Sequence, residues 1–183
     1  TMKLFLWVNN MVKIRVTDEM KLEAYQYSAL SHDFTSRRHD FHKGGADNAS
    51  KKMYEGKIGE KAFRSWLDKE GIRYIEDSTS YDEADNYDFL INGYKIDVKT
   101  RTEDFHIRTL ELVEQLHSRP KDIYVSVRYH RESNEVELIG AISSKKLIHL
   151  NQIENLGYKN NYVAYDRQLI SMYQFKRLIT KDY

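Results

Sequence analysis

Asp97, Val98 and Lys99 set an acid and an amine two positions apart, and a β-strand turns such residues to the same face. Asp88 lies upstream, separated from them by Asn92-Gly93, with the apolar Phe89, Leu90 and Ile91 before that dipeptide and Ile96 after it. Asn-Gly between apolar runs is the strongest short-range signal for a hairpin with a two-residue loop. Such a loop puts Ile91 opposite Tyr94, Leu90 opposite Lys95, Phe89 opposite Ile96 and Asp88 opposite Asp97. Two carboxylates facing each other across a sheet repel, so something must offset them. A hard divalent cation does so directly, since Mg²⁺ typically takes one or two carboxylates and fills its shell with water and phosphate oxygens. Lys99 adds a positive charge one step along the same face. The plainer alternative is a solvated sheet face, and Asp-x-Lys alone is a weak motif; Asp88 in register across the turn favours the first reading.

The pair needs supporting elements, and the pattern supplies them. Residues 51–69 read as a helix that stops at Gly71, with Met53, Gly56, Phe63 and Leu67 on one face. Glu60 lies on that apolar face, where an unpaired carboxylate is costly to bury. Gly56 and Gly59 weaken the helix but let its backbone approach a neighbour closely. A strand is expected over 12–16, then a helix over 18–30 capped by Thr17, in which Met20 stands where a capping box would carry Glu or Gln. Residues 31–50 show no periodicity and read as a long loop. Strands follow at 72–76, 86–91 and 94–99, a helix at 107–118 ahead of Pro120, strands at 123–129 and 136–142, and helices at 144–150 and 167–179. The last carries an apolar stripe of Leu169, Ile170, Met172, Phe175, Leu178 and Ile179.

Gly56-Lys57-Ile58-Gly59-Glu60, Tyr87-Asp88-Phe89 and Ile96-Asp97-Val98-Lys99-Thr100 together resemble the PD-(D/E)xK nuclease superfamily, the restriction-endonuclease-like fold. The resemblance spans about residues 51–130, in the order helix, three strands, helix, strand. Tyr87 replaces the proline of the family's name. Gln115 falls in the expected helix, but Ser118 breaks a RecB-like Gln-x-x-Tyr, which counts against an exonuclease of that type. The tail from Tyr162 to Ile179 is similar in form to small phage and prophage nuclease-like proteins. The resemblance implies an α/β restriction-endonuclease-like core with a mixed central sheet flanked by helices. It implies that Asp88, Asp97 and the Val98 carbonyl bind Mg²⁺ or Mn²⁺, with Glu60 binding directly, through water, or at a second ion. Metal and Lys99 would then activate water for in-line hydrolysis of a phosphodiester. DNA is the expected partner and endonucleolytic cleavage the expected mode, with RNA processing, junction resolution or silent nucleic-acid binding as the alternatives. A homodimer would let such an enzyme cut both strands.

Bulk composition narrows the rest. A chain of 183 residues suits one domain, with a core at about 51–142, a strand–helix–loop extension over 1–50 and a helical extension over 143–183. No cysteine is present, which excludes disulfides and thiolate metal sites. The apolar run from Leu4 to Val8 is too short for a membrane span or a signal peptide, so no membrane partner and a cytoplasmic location are expected. A formal net charge of +1 means any nucleic-acid contact must come from local patches. Arg37–Arg64 carries eight Lys/Arg against four Asp/Glu, and Glu76–Asp88 carries six acids and no base. Arg37, Arg38, Lys43, Lys51 and Lys52 are candidate phosphate contacts, against the reading of an ordinary solvated loop. Thr100 and Arg101 are candidates to reach the scissile strand. Some of the tyrosines are candidates to stack on bases, though half-buried structural positions suit most of them. His32, His39 and His42 lack any known zinc spacing.

Overall fold

The computed structural model describes residues 11–35, 45–77, 87–157 and 159–181, without the side chains of 31–35 and 45–47. His39, His42, Arg37, Arg38, Lys43, the Leu4–Val8 run and the middle of the acidic loop lie outside these residues, as does the side chain of His32.

The architecture is α/β. A mixed six-stranded sheet has the order β1-β7-β6-β4-β3-β2. It comprises β1 (Val12–Arg15), β2 (Ile75–Glu76), β3 (Phe89–Ile91), β4 (Tyr94–Arg101), β6 (Ile123–His130) and β7 (Glu135–Ser143). Only β4 and β6 run parallel, and the other neighbours are antiparallel. A second, antiparallel sheet has the order β5-β9-β8, from β5 (Arg108–Leu112), β8 (Ile153–Asn155) and β9 (Asn160–Tyr165). The helices are α1 (Asp18–Thr35), α2 (Gly45–Lys69), α3 (Val113–Ser118), α4 (Ser144–Leu150) and α5 (Met172–Ile179).

The hairpin forms as its turn chemistry requires. Asn92 and Gly93 take φ of 47° and 80°, the positive values a type I′ turn needs. The ladder pairs Ile91 with Tyr94, Leu90 with Lys95 and Phe89 with Ile96. Alternation buries Phe89, Ile91, Ile96 and Val98 against α2 and α5. Phe63 of α2 sits 5.2 Å edge-on to Phe89 and stacks 5.7 Å from Trp66, so aromatic packing ties the helix to the hairpin. The Asn92 side chain donates to the Ile179 carbonyl at 3.3 Å, which satisfies a carbonyl at the end of α5. Thr17 caps α1 by accepting from the Met20 amide at 3.2 Å.

Four expectations need correction. Residues 31–50 are not one long loop, because α1 continues to Thr35 and α2 begins at Gly45. The strand expected at 72–76 is only Ile75–Glu76. The helix expected at 107–118 divides into β5 and the short α3, because pairing with β9 draws 108–112 into the second sheet. The C-terminal extension is not wholly helical: it holds β8 and β9, and α5 starts only at Met172, where Ser171 caps it with Gln174 completing the box. Ile170 instead bridges to Ala141. Ile14, Val16, Met20, Phe175 and Ile179 from the two extensions belong to one cluster with Phe63 and Phe89.

Candidate active site

The site forms where β3 ends and β4 continues. The ladder stops at Phe89–Ile96, but β4 runs to Arg101. Backbone polar groups alternate between the two sides of a strand. Ile96 faces β3, so the Val98 N–H and C=O point to the same side, beyond the end of β3. A buried N–H needs an acceptor, and Asp88 supplies one. Its Oδ2 accepts from the Val98 amide at 2.6 Å. The Asp88 amide donates to the Ile96 carbonyl at 2.9 Å, and the Asp88 carbonyl accepts from the Asp77 amide at 2.9 Å. Asp88 is therefore not the square cross-strand partner of Asp97 expected from the turn. It lies one step outside the ladder, with its carboxylate standing in for a strand carbonyl.

Glu60 reaches this point because α2 lies directly on the sheet. A Cβ at Gly59 would stand 2.0 Å from Thr100 Oγ1 and 2.9 Å from Val127 Cγ2, so only glycine allows the approach. Gly56 has open space around its Cα, and its carbonyl accepts from the Thr100 hydroxyl at 3.3 Å. Close approach is thus the work of Gly59 alone. Glu60 and Asp88 line a common cavity of about 300 Å³, with Tyr27, Lys57 and Tyr87. Lys57 pairs with Glu60 and lies 4.0 Å over the Tyr27 ring.

Glu60, Asp88 and Asp97 act on one another electrostatically, although only Glu60 and Asp88 share a cavity. Burial pushes the Asp88 carboxyl well above its usual range, and the charges of Glu60 and Asp97 push it further; the Val98 amide and Lys57 offset only part. Burial likewise raises Glu60, and Asp97 adds to the rise against the pull of Lys57. Burial alone would lower the Lys57 amine, but Glu60, Tyr27 and Asp88 outweigh it and hold the ammonium form.

Lys99 closes the other flank. Its Nζ lies 2.8 Å from Asp97 Oδ2 and 2.6 Å from Glu111 Oε2, with the Tyr124 ring centroid at 5.6 Å. Burial would lower its pKa, but the two carboxylates reverse this and raise it, so Lys99 is a fixed ammonium. Lys121 approaches Asp97 Oδ1 at 3.8 Å. A second cavity of about 240 Å³ is lined by Asp97, Lys99, Glu111, Gln115, Arg119 and Lys121. Glu111 is buried and was missed by sequence reading, as was Lys57. An acid between Leu110 and Leu112 was the available signal, since strand alternation sets it on the face opposite those two leucines.

Other candidates fall elsewhere. Thr100 packs beneath α2 rather than projecting outward. Arg101 is buried; its guanidinium bonds the His106 carbonyl, Thr109 and Ser126 and pairs with Asp166, so it braces the fold. Lys51 and Lys52 are exposed on α2. No helix among the described residues is long and apolar enough to cross a membrane. Among the described residues, no group of three acidic or histidine side chains stands ready-spaced around a metal position. Comparisons with protein-family models, curated proteins and solved structures find no match. The site therefore has to be read from its own chemistry.

Proposed function

We propose that this chain is a metal-dependent nuclease of the PD-(D/E)xK type, on a restriction-endonuclease-like core, that hydrolyses phosphodiester bonds in DNA. The observation that carries the reading is that Glu60 and Asp88, from a helix and the end of a strand, line one cavity, with Asp97 on the neighbouring strand paired to Lys99. The donor set fits Mg²⁺ or Mn²⁺: every candidate ligand is a hard oxygen, and raised carboxyl pKa values mark a place where added positive charge is favourable. Asp88, Asp97 and the Val98 carbonyl would hold the ion, with Glu60 as further ligand once it releases Lys57. The bound ion would lower the pKa of the attacking water and shield charge on the phosphate. Lys99, paired with Asp97 and Glu111, serves as an electrostatic partner of the phosphate. Asp88 also holds β4 in place through the Val98 amide. A homodimer would supply the second active site for cutting both strands, and RNA or branched DNA are the alternative substrates.

A catalytically silent nucleic-acid-binding protein is the second reading. The pairing of Glu60 with Lys57 and of Asp97 with Lys99 favours it, because both acids already have cationic partners. Incubation of supercoiled plasmid with Mg²⁺ or Mn²⁺, against EDTA, separates the two. Metal-dependent nicking is expected; binding without cleavage in either metal overturns the nuclease reading.

A further inference from the structure

A groove of about 740 Å³ runs from Lys99 between α2 and the segment joining β4 to β5. Its lining includes six Lys/Arg side chains, of which Lys99, Arg101, Arg108 and Arg131 are paired with carboxylates, together with the aliphatic Leu110 and Leu156. Lys51 and Lys52 stand exposed along it, with no ion pair among the described residues. A track for phosphates alone needs cations; one that also carries aliphatic groups suits a strand whose bases lie against the protein.

A segment beside the groove supplies the second feature. Phe105 is 76% exposed, in a segment whose neighbours Glu103 and His106 line the groove. That segment is braced from below. The His106 carbonyl accepts from Arg101 Nη1 at 2.6 Å and from Arg128 Nη2 at 2.8 Å. Arg131 ties Thr102 and Glu103 at 3.1 and 3.2 Å and also bonds Glu55 of α2. The His106 ring packs edge-on at 4.6 Å and leaves most of the phenyl ring bare. An exposed phenyl ring beside a groove that carries two exposed lysines offers a face on which a base can stack.

We infer that this groove binds a single-stranded nucleic-acid segment, with Phe105 stacking on an unpaired base as the backbone passes Lys51 and Lys52 toward Lys99. In a duplex the base faces are already stacked on each other, whereas a single strand offers them to an aromatic platform. The substrate class would be DNA with an unpaired stretch, which rests on the nuclease reading above; the binding itself requires no turnover.

The test is fluorescence anisotropy of a labelled oligothymidylate and of a duplex of equal length, in EDTA, with the full chain. The single strand should bind more tightly than the duplex. Phe105→Ala should weaken single-strand binding about tenfold and duplex binding less than about twofold, while Phe105→Trp should retain it. Lys51→Glu with Lys52→Glu should weaken both and flatten the salt dependence. Unchanged melting temperatures would show that the variants fold. Equal affinity for duplex and single strand, or no effect of Phe105→Ala, overturns the inference. The same proteins with Mn²⁺ report separately on cleavage. Nicking with Phe105 irrelevant sinks the groove alone, whereas Phe105-dependent binding without nicking sinks the nuclease reading alone.

Discussion

Glu111 Oε2 lies 2.6 Å from Lys99 Nζ, and both line a cavity separate from the one that Glu60 and Asp88 share. Asp97 holds the same Nζ at 2.8 Å. The amine is thus clamped between a carboxylate from its own strand and one from a different sheet, and its direction depends on both. Glu111→Ala should leave the fold intact but let Lys99 swing onto Asp97. On the nuclease reading, the single-turnover cleavage rate should fall about tenfold with DNA affinity little changed, as when a group held in place for the transition state loses its support. Glu111→Gln, which keeps an acceptor, should recover most of the rate. Equal losses in both variants would show that the charge of Glu111 matters and its positioning role does not.

Lys99→Ala removes the fixed charge itself. Turnover should drop by about a hundredfold or more, while Mn²⁺ binding measured by calorimetry survives. Asp97→Ala should lose both. A Lys99→Ala protein that cleaves at the native rate would remove the assigned role.

The raised pKa values of Asp88 and Glu60 carry a sign. Their unfolded values lie near 3.8 and 4.5, and both are higher in the folded protein. The folded state then binds more protons than the unfolded state, so stability falls as pH rises from those unfolded values through the folded ones. In EDTA, the wild-type protein should lose melting temperature as the pH rises above the unfolded carboxyl values, and Asp88→Asn should reduce that loss. Mn²⁺ should raise the melting temperature more at the upper pH, where protons no longer compete for the carboxylates. A loss of the same size in Asp88→Asn would show that the acid trio is not its source.

The two glycines of α2 should respond in opposite directions. Gly59→Ala forces a methyl onto Thr100 and Val127 and should cost about 1–3 kcal/mol, because the side chains beneath the helix must shift to admit it. Gly56→Ala meets open space and should stabilise by up to about 1 kcal/mol through helix propensity. Chemical denaturation of both variants measures the contrast, and equal effects would contradict the helix-on-sheet contact described here.

What the sequence determined by itself was local. Asn92-Gly93 specifies its turn because few other residues accept two successive positive φ values, and the turn then sets the pairing of Phe89 with Ile96. Strand alternation buries Phe89, Ile91, Ile96 and Val98 and sets Asp97 beside Lys99. Helical spacing brings Glu60 onto the face that packs against the sheet. The tertiary structure decided the remainder. Asp88 leaves the ladder because β3 ends while β4 continues, so the Val98 amide recruits its carboxylate; no local pattern encodes where a neighbouring strand will stop. Residues 108–112 have apolar spacing compatible with a helix, yet they pair with Asn161–Tyr165, about fifty positions away in the chain. That long-range pairing turns Glu111 toward Lys99, and a periodicity measured within one segment cannot contain it.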